Sequence, residues 1–179
     1  MFDLDGFVSS CRAALAEDAG GSRAVRELLA RTVGEPGQVM AGLGEPQRAG
    51  LTALHRSADL TILNVVWGPG MTIMPHNHRM WAVIGVYTGR EDNIFWRSKD
   101  GKVEAAGAQA LSERDTVPLG ADIIHSVTNP IPRLTGAIHV YGGDFFGMER
   151  SEWDPETLRE GRYDPQKAMR HFEESNARS

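Results

Sequence analysis

The order of apolar and polar positions divides the chain into three parts. From Asp3 to about Gln47, apolar residues recur three and four apart: Phe7, Cys11, Ala14 and Leu15 share a face, and "SRAVRELLARTV" repeats the pattern after a Gly20-Gly21 break. Such spacing predicts amphipathic helices, with Ser22 as the N-cap of the second. Beyond Leu54 the period shortens. "LTILNVVW", "AVIGVYTG", "NIFWRS", "KVEAA", "DTVPLG", "HSVTN" and "TGAIHVYGG" read as short strands, and Asp100-Gly101 is a favoured pair for a two-residue hairpin. Several short strands at close spacing, with no helices between them, predict a β-sandwich or barrel. From "DPETLRE" to "HFEESNARS" the chain reads as polar helix, packed outside the barrel or frayed. The expectation is a single domain over 1–179: a helical lead-in over 1–50, a β-barrel over 51–150 and a helical tail over 151–179. No low-complexity linker or fixed-period repeat interrupts it.

Composition narrows the functional classes. The 179 residues, 41% hydrophobic and 24% charged, suffice for one core and are too few for two comfortable ones. A formal net charge of -5 offers no overall basic surface to phosphate backbones or anionic lipid, so neither nucleic acid nor membrane is an expected partner. The opening "MFDLDGFVSS" puts acids where a secretory leader needs bases, and no apolar run approaches a spanning length. A cytoplasmic protein is expected. With Cys11 as the single cysteine, no disulfide or cysteine cluster can form within the chain, and any metal must be held by nitrogen or oxygen.

One stretch suggests such a metal. In "PHNHRMW", His76 and His78 lie two apart, so on a strand both imidazoles face one side and Asn77 the other. Gly70 precedes His76 with five residues between, and Gly89 closes the segment. The later "PLGADIIHSVTN" carries Pro118, Gly120, His125 and Asn129. These passages resemble the paired motifs of the cupin superfamily. The resemblance implies an all-β core built as a double-stranded β-helix, or jelly-roll barrel, flanked here by N-terminal helices and a C-terminal helical tail. It also implies metal ligation by His76, His78 and His125. The Glu customary in the first motif is missing, since Ala82 stands where it is expected.

A narrower likeness follows from "AIHVYGGDFFGMER", with His139, Tyr141 and Arg150. It resembles the thiol dioxygenases, the cysteine dioxygenase and 3-mercaptopropionate dioxygenase group, which lack that Glu and carry a His-x-Tyr pair. "HNHRMWAVIG" is similar to the bacterial mercaptopropionate branch. The likeness runs from about Arg56 to Arg150, roughly half the chain. It implies catalytic roles for Tyr141 and His139, His139 orienting the phenol, and a carboxylate clamp at Arg150. Arg56, before the first strand, and Arg79, next to His78, are further substrate-binding candidates. Trp81 is a fourth, as a wall of the pocket. Otherwise Trp81 is expected, like Trp67 and Phe95, to fill the barrel. Two departures stand out: Ala137 replaces the Ser that completes a Ser-His-Tyr trio, and Cys11 lies too far upstream for a Tyr-Cys cross-link.

Three neutral imidazoles on one face of a metal preserve its dipositive charge and leave the opposite face open to anions such as a thiolate. The expected cofactor is Fe(II), with zinc, nickel and manganese as alternatives. The expected partners are a small thiol, one bearing a carboxylate, and dioxygen, with a sulfinate as product. The same ligands also suit a diketone-cleaving dioxygenase or a zinc hydrolase or lyase. A cupin that binds a small ligand without turnover is the third reading.

Overall fold

The computed structural model describes residues 1–17 and 22–178, so the Gly20-Gly21 break lies outside the described residues. Three helices lead: α1 (Leu4–Glu17), α2 (Ser22–Val33) and α3 (Pro36–Leu43). Eleven strands follow among the described residues: β1 (Gly50–Arg56), β2 (Thr61–Trp67), β3 (Thr72–Asn77), β4 (Ala82–Thr88), β5 (Arg90–Lys99), β6 (Lys102–Ser112), β7 (Thr116–Leu119), β8 (Ile124–Thr128), β9 (Thr135–Tyr141), β10 (Ser151–Trp153) and β11 (Glu160–Arg162). Helix α4 (Pro165–Ala177) closes the chain. The strands form two antiparallel sheets, ordered β1-β2-β9-β4-β7 and β11-β10-β3-β8-β5-β6. The result is the jelly-roll that the cupin resemblance implies, within the β-sandwich or barrel class expected from the strand pattern.

The near-continuous apolar runs of β2, β4 and β9 have a physical cause: both of their faces are covered. Leu63, Val65, Trp67, Ala82, Ile84 and Val86 point into the barrel. Leu60, Ile62, Val83, Tyr87, Ile138 and Val140 point outward, against Phe7, Cys11, Val25, Leu29 and Val33 of the helices. The helical lead-in is therefore a layer over the five-stranded sheet. It packs tightly at Gly85, where an added Cβ would stand 2.8 Å from Leu29 Cγ and 3.0 Å from Val33 Cγ1. Cys11 is buried in this outer layer, with its thiol pushed up to about 12 by burial, while Tyr141 belongs to the barrel interior.

Asp100 and Gly101 form the hairpin turn between β5 and β6, both with positive φ (51° and 74°), and Lys99 pairs with Lys102 across it. The tail departs from expectation. Residues 151–162 are not helical: β10 adds to the edge of β3, with Glu152 opposite His76, and β11 adds to β10. Three-residue strands carry too little alternation to be read locally; their pairing is set by the long-range edge of β3. The helix is confined to Pro165–Ala177, started by Asp164, whose side chain accepts from the Gln166 N–H. Nor is it peripheral, because Pro165, Ala168, Met169 and Phe172, spaced three and four apart, line the cavity inside the barrel. No helix among the described residues is long and apolar enough to cross a membrane.

Candidate functional site

Strands β3 and β8 bring the histidines together. His76 pairs directly with His125, and a register shift between Ile73 and His76 marks a bulge next to the pair. His78 follows β3 by one residue and reaches the same point. All three are buried, and one ring nitrogen from each lies within 4.8 Å of the others. The Nε2 atoms of His78 and His125 are 3.3 Å apart, close to what two metal–nitrogen bonds of about 2.1 Å at tetrahedral angles require.

Outer partners fix which nitrogens face inward. His76 donates Nδ1–H to the Met74 carbonyl at 2.9 Å. His125 donates Nδ1–H to Asn93 Oδ1 at 2.7 Å. In both rings Nε2 is left with its lone pair toward the cluster, the arrangement a metal ligand needs. Burial holds all three imidazoles neutral at pH 7: it takes His76 down to about 4, and with help from neighbouring imidazoles it lowers His78 and His125 well below the ordinary imidazole value. Three neutral, pre-oriented nitrogen donors, with no acid among the clustered ligands of the described residues, fit a divalent cation.

Glu91 on β5 organises the surroundings and is fully buried. Its carboxylate accepts from Trp67 Nε1 at 2.7 Å, Asn93 Nδ2 at 3.0 Å and His139 Nε2 at 3.3 Å. Burial would raise the carboxyl, but the charge interaction with His139 and these three donors outweigh it and hold Glu91 below the usual carboxylate value. Two tautomers follow from this one acid. Asn93 must present its amide NH2 to Glu91, so its oxygen meets His125. His139 must present Nε2–H to Glu91, which leaves Nδ1 facing the Tyr141 hydroxyl at 3.0 Å. Glu91 thus supports the His139–Tyr141 pair from the side opposite Tyr141, while Ala137 carries no polar group to do so. Burial raises the Tyr141 phenol well above its ordinary value, keeping it protonated.

The three histidines, His139, Tyr141 and Arg150 all line one cavity of about 530 Å³. Arg150 is buried between two rings, its guanidinium carbon 3.9 Å from the Phe145 centroid and 4.1 Å from that of Tyr163. It donates Nη1–H to the Phe145 carbonyl at 3.1 Å. Its acidic sequence neighbours are engaged elsewhere, Glu149 with Arg162 and Glu152 with Lys167. Among the described residues no carboxylate forms an ion pair with Arg150.

Arg56, Arg79 and Trp81 are not brought to this cavity. Arg56 makes a bidentate pair with Asp144, both bonds 2.8 Å, and lies over the Phe146 ring on the exposed surface. At Arg79 the backbone turns through the left-handed region (φ 54°), and the exposed side chain reaches Ser151 Oγ at 3.5 Å. Trp81 is half-buried against the helix-facing core, its ring lying where a side chain on Gly142 would be. Trp67 lines the cavity as Glu91's donor, and Phe95 is partly buried against the interior core. His55 is half-buried beside Ser57, and His171 on α4 is half-buried. Sequence reasoning passed over Glu91, Asn93 and Tyr163. The first two had a signal: along β5, Glu91 and Asn93 are buried while Ile94 is 38% exposed, the reverse of ordinary alternation.

The chain matches no protein-family model. Among solved structures it is similar to an RmlC-like cupin family protein with a double-stranded β-helix fold from Methanocaldococcus jannaschii (TM-score 0.48, 11% identity, 57% of this chain and 86% of that one). It is also similar to a cupin superfamily protein from Desulfitobacterium hafniense (TM-score 0.46, 16% identity, 59% and 88%). A third likeness is to a DMSP lyase from Ruegeria pomeroyi (TM-score 0.48, 18% identity, 61% and 53%). By its two antiparallel sheets and their strand order, the chain has the cupin fold, the double-stranded β-helix, with a three-histidine site inside it suited to a metal ion.

Proposed function

We propose that the protein is a non-haem iron thiol dioxygenase that oxidises a carboxylate-bearing thiol to its sulfinate with dioxygen. One observation carries the reading: a buried guanidinium with no carboxylate partner among the described residues, a phenol and three imidazoles line the same cavity. Ferrous iron on the three imidazoles would supply the positive charge that favours thiolate over thiol and the electrons that activate dioxygen. The overall change is balanced, a thiolate and one dioxygen giving one sulfinate.

The chain's own residues do the rest. Arg150 presents paired donors to the substrate carboxylate, and the Phe145 and Tyr163 rings hold its fork flat. Tyr141 keeps its proton at neutral pH and can donate it to a sulfur or oxygen atom that gains charge beside it. His139 retains Nε2–H on Glu91 and can take or return a proton at Nδ1, so the phenol proton has two resting places 3.0 Å apart. Apolar neighbours such as Phe145 and Ile73 exclude water from this exchange.

Oxygen uptake by the iron-loaded protein over a panel of small thiols is the test. One dioxygen consumed per sulfinate formed, with acids preferred to neutral thiols, is the expected outcome. Full iron loading with no uptake on any thiol would transfer the site to lyase or hydrolase chemistry.

A further inference from the structure

The cavity is larger and more apolar than a small polar thiol acid requires. Its volume of about 530 Å³ falls in the range of sites for drug-sized ligands. At roughly 30 Å³ per water, an acid of a few heavy atoms displaces only a handful of the waters such a space holds. The space lies to one side of the histidines. Val127 stands two residues beyond His125 on β8 and pairs with Ile73 on β3, so this layer is about 7 Å along the barrel from the histidine pair. Leu51 and Val65, paired across β1 and β2, also line the cavity.

Helix α4 closes this chamber with Ala168, Met169 and Phe172, the last stacked on Trp67 at 5.5 Å. Polar clamps fix the wall at both ends. Asn176 exchanges two hydrogen bonds with Ala49, at 2.8 and 2.9 Å, and Glu152 accepts from Lys167 and from the Asp164 N–H. A second observation is independent of volume. Six large hydrophobic side chains are exposed among the described residues, and three of them, Phe146 (46%), Met148 (41%) and Met169 (43%), line this cavity. Half of these exposed apolar residues therefore line one cavity, as an apolar ligand would require.

We infer that the substrate carries, besides its carboxylate, an alkyl or aryl body several carbons long, seated between the Ile73–Val127 layer and the apolar face of α4. The inference rests on the proposed reading in taking Arg150 as the carboxylate anchor. It makes Ala168, Met169 and Phe172 specificity determinants.

Calorimetric titration of the anaerobic iron-loaded protein with propionate, hexanoate, octanoate and 3-phenylpropionate tests it, since none of these can be turned over as a thiol. Affinity should rise about fourfold per methylene buried, so octanoate should bind at least about a hundredfold tighter than propionate. Ala168→Trp, which fills the chamber, should remove that advantage. Met169→Glu, at the exposed rim where folding is not at stake, should weaken octanoate at least tenfold. Equal binding of propionate and octanoate by the wild-type protein would overturn the inference, as would an octanoate advantage that survives both substitutions. The two proposals fail separately. A protein that binds octanoate tightly and oxidises no thiol keeps the chamber and loses the dioxygenase; one that oxidises 3-mercaptopropionate and ignores chain length does the reverse.

Discussion

Glu91→Gln tests how far one buried acid governs the metal site, because it changes a single charge and almost no volume. Among the described residues Glu91 meets three donors, Trp67 Nε1 and His139 Nε2 on Oε2 and Asn93 Nδ2 on Oε1. An amide can accept on one side only. If its oxygen stays with Trp67 and His139, its NH2 meets the Asn93 NH2, and Asn93 must turn over. Its NH2 then points at His125 Nδ1, which sits 2.7 Å from the Asn93 oxygen in the native chain. The His125 proton must then move to Nε2, removing the lone pair offered to the cation. In the opposite orientation, two buried N–H groups lose their acceptor. Hydrogen bonds to a charged acceptor contribute about 1.5–3 kcal/mol, so stability should fall by on the order of 2–3 kcal/mol. Losing a ligand's outer partner typically weakens metal binding about 10–100-fold. Competition for ferrous or zinc ion against a chromophoric chelator at pH 7 measures this, with circular dichroism confirming the fold. Metal affinity within twofold of wild type would refute the argument that Glu91 sets the His125 tautomer.

Three further predictions are independent of that one. Arg150→Leu should cut kcat/KM for carboxylated thiols by roughly 10–100-fold, the loss of a charge-assisted contact of about 1.5–3 kcal/mol, and spare a neutral thiol; equal losses would reduce Arg150 to a packing role. In the metal-free protein, His76 holds its proton with a value of about 4 when folded against 6.5 unfolded. The unfolded chain therefore binds the extra proton first, and stability present above pH 6.5 is lost as pH falls toward 4. At roughly 1.4 kcal/mol per pH unit the loss is about 3 kcal/mol from His76 alone; urea melts at stepped pH should show it, and a flat profile would contradict it. Gly85→Val should cost about 1–3 kcal/mol by forcing α2 off the sheet at Leu29 and Val33, lowering the melting temperature while leaving metal stoichiometry unchanged.

What could be read from the chain depended on how local the signal was. The barrel strands announced themselves because β2, β4 and β9 are covered on both faces and so read as apolar runs. His76 and His78 share a face by the strand period, and His125 was reached through motif spacing. Side-chain direction was harder. Arg79 is adjacent to a ligand in sequence, yet a left-handed backbone at that residue turns it outward. Trp81 packs against the helices, and Arg56 is taken by Asp144, a partner 88 residues away. Glu91 and Asn93 sit in "REDNIF", which looks like the wet side of a hairpin until β8 supplies His125 opposite Phe95 and shows which face is inside. Likewise, α4 reads as polar by composition, and only its placement over the barrel reveals that Ala168 and Phe172 form a wall.

The central claim is that three neutral imidazoles, without an acidic ligand, hold one divalent cation inside the barrel. Iron stoichiometry of the wild-type protein and of His125→Ala, each confirmed folded by circular dichroism, tests it most directly. The account predicts one ferrous ion per wild-type chain and loss of stoichiometric binding in the variant. A folded His125→Ala protein that still binds one iron per chain at wild-type affinity would contradict it.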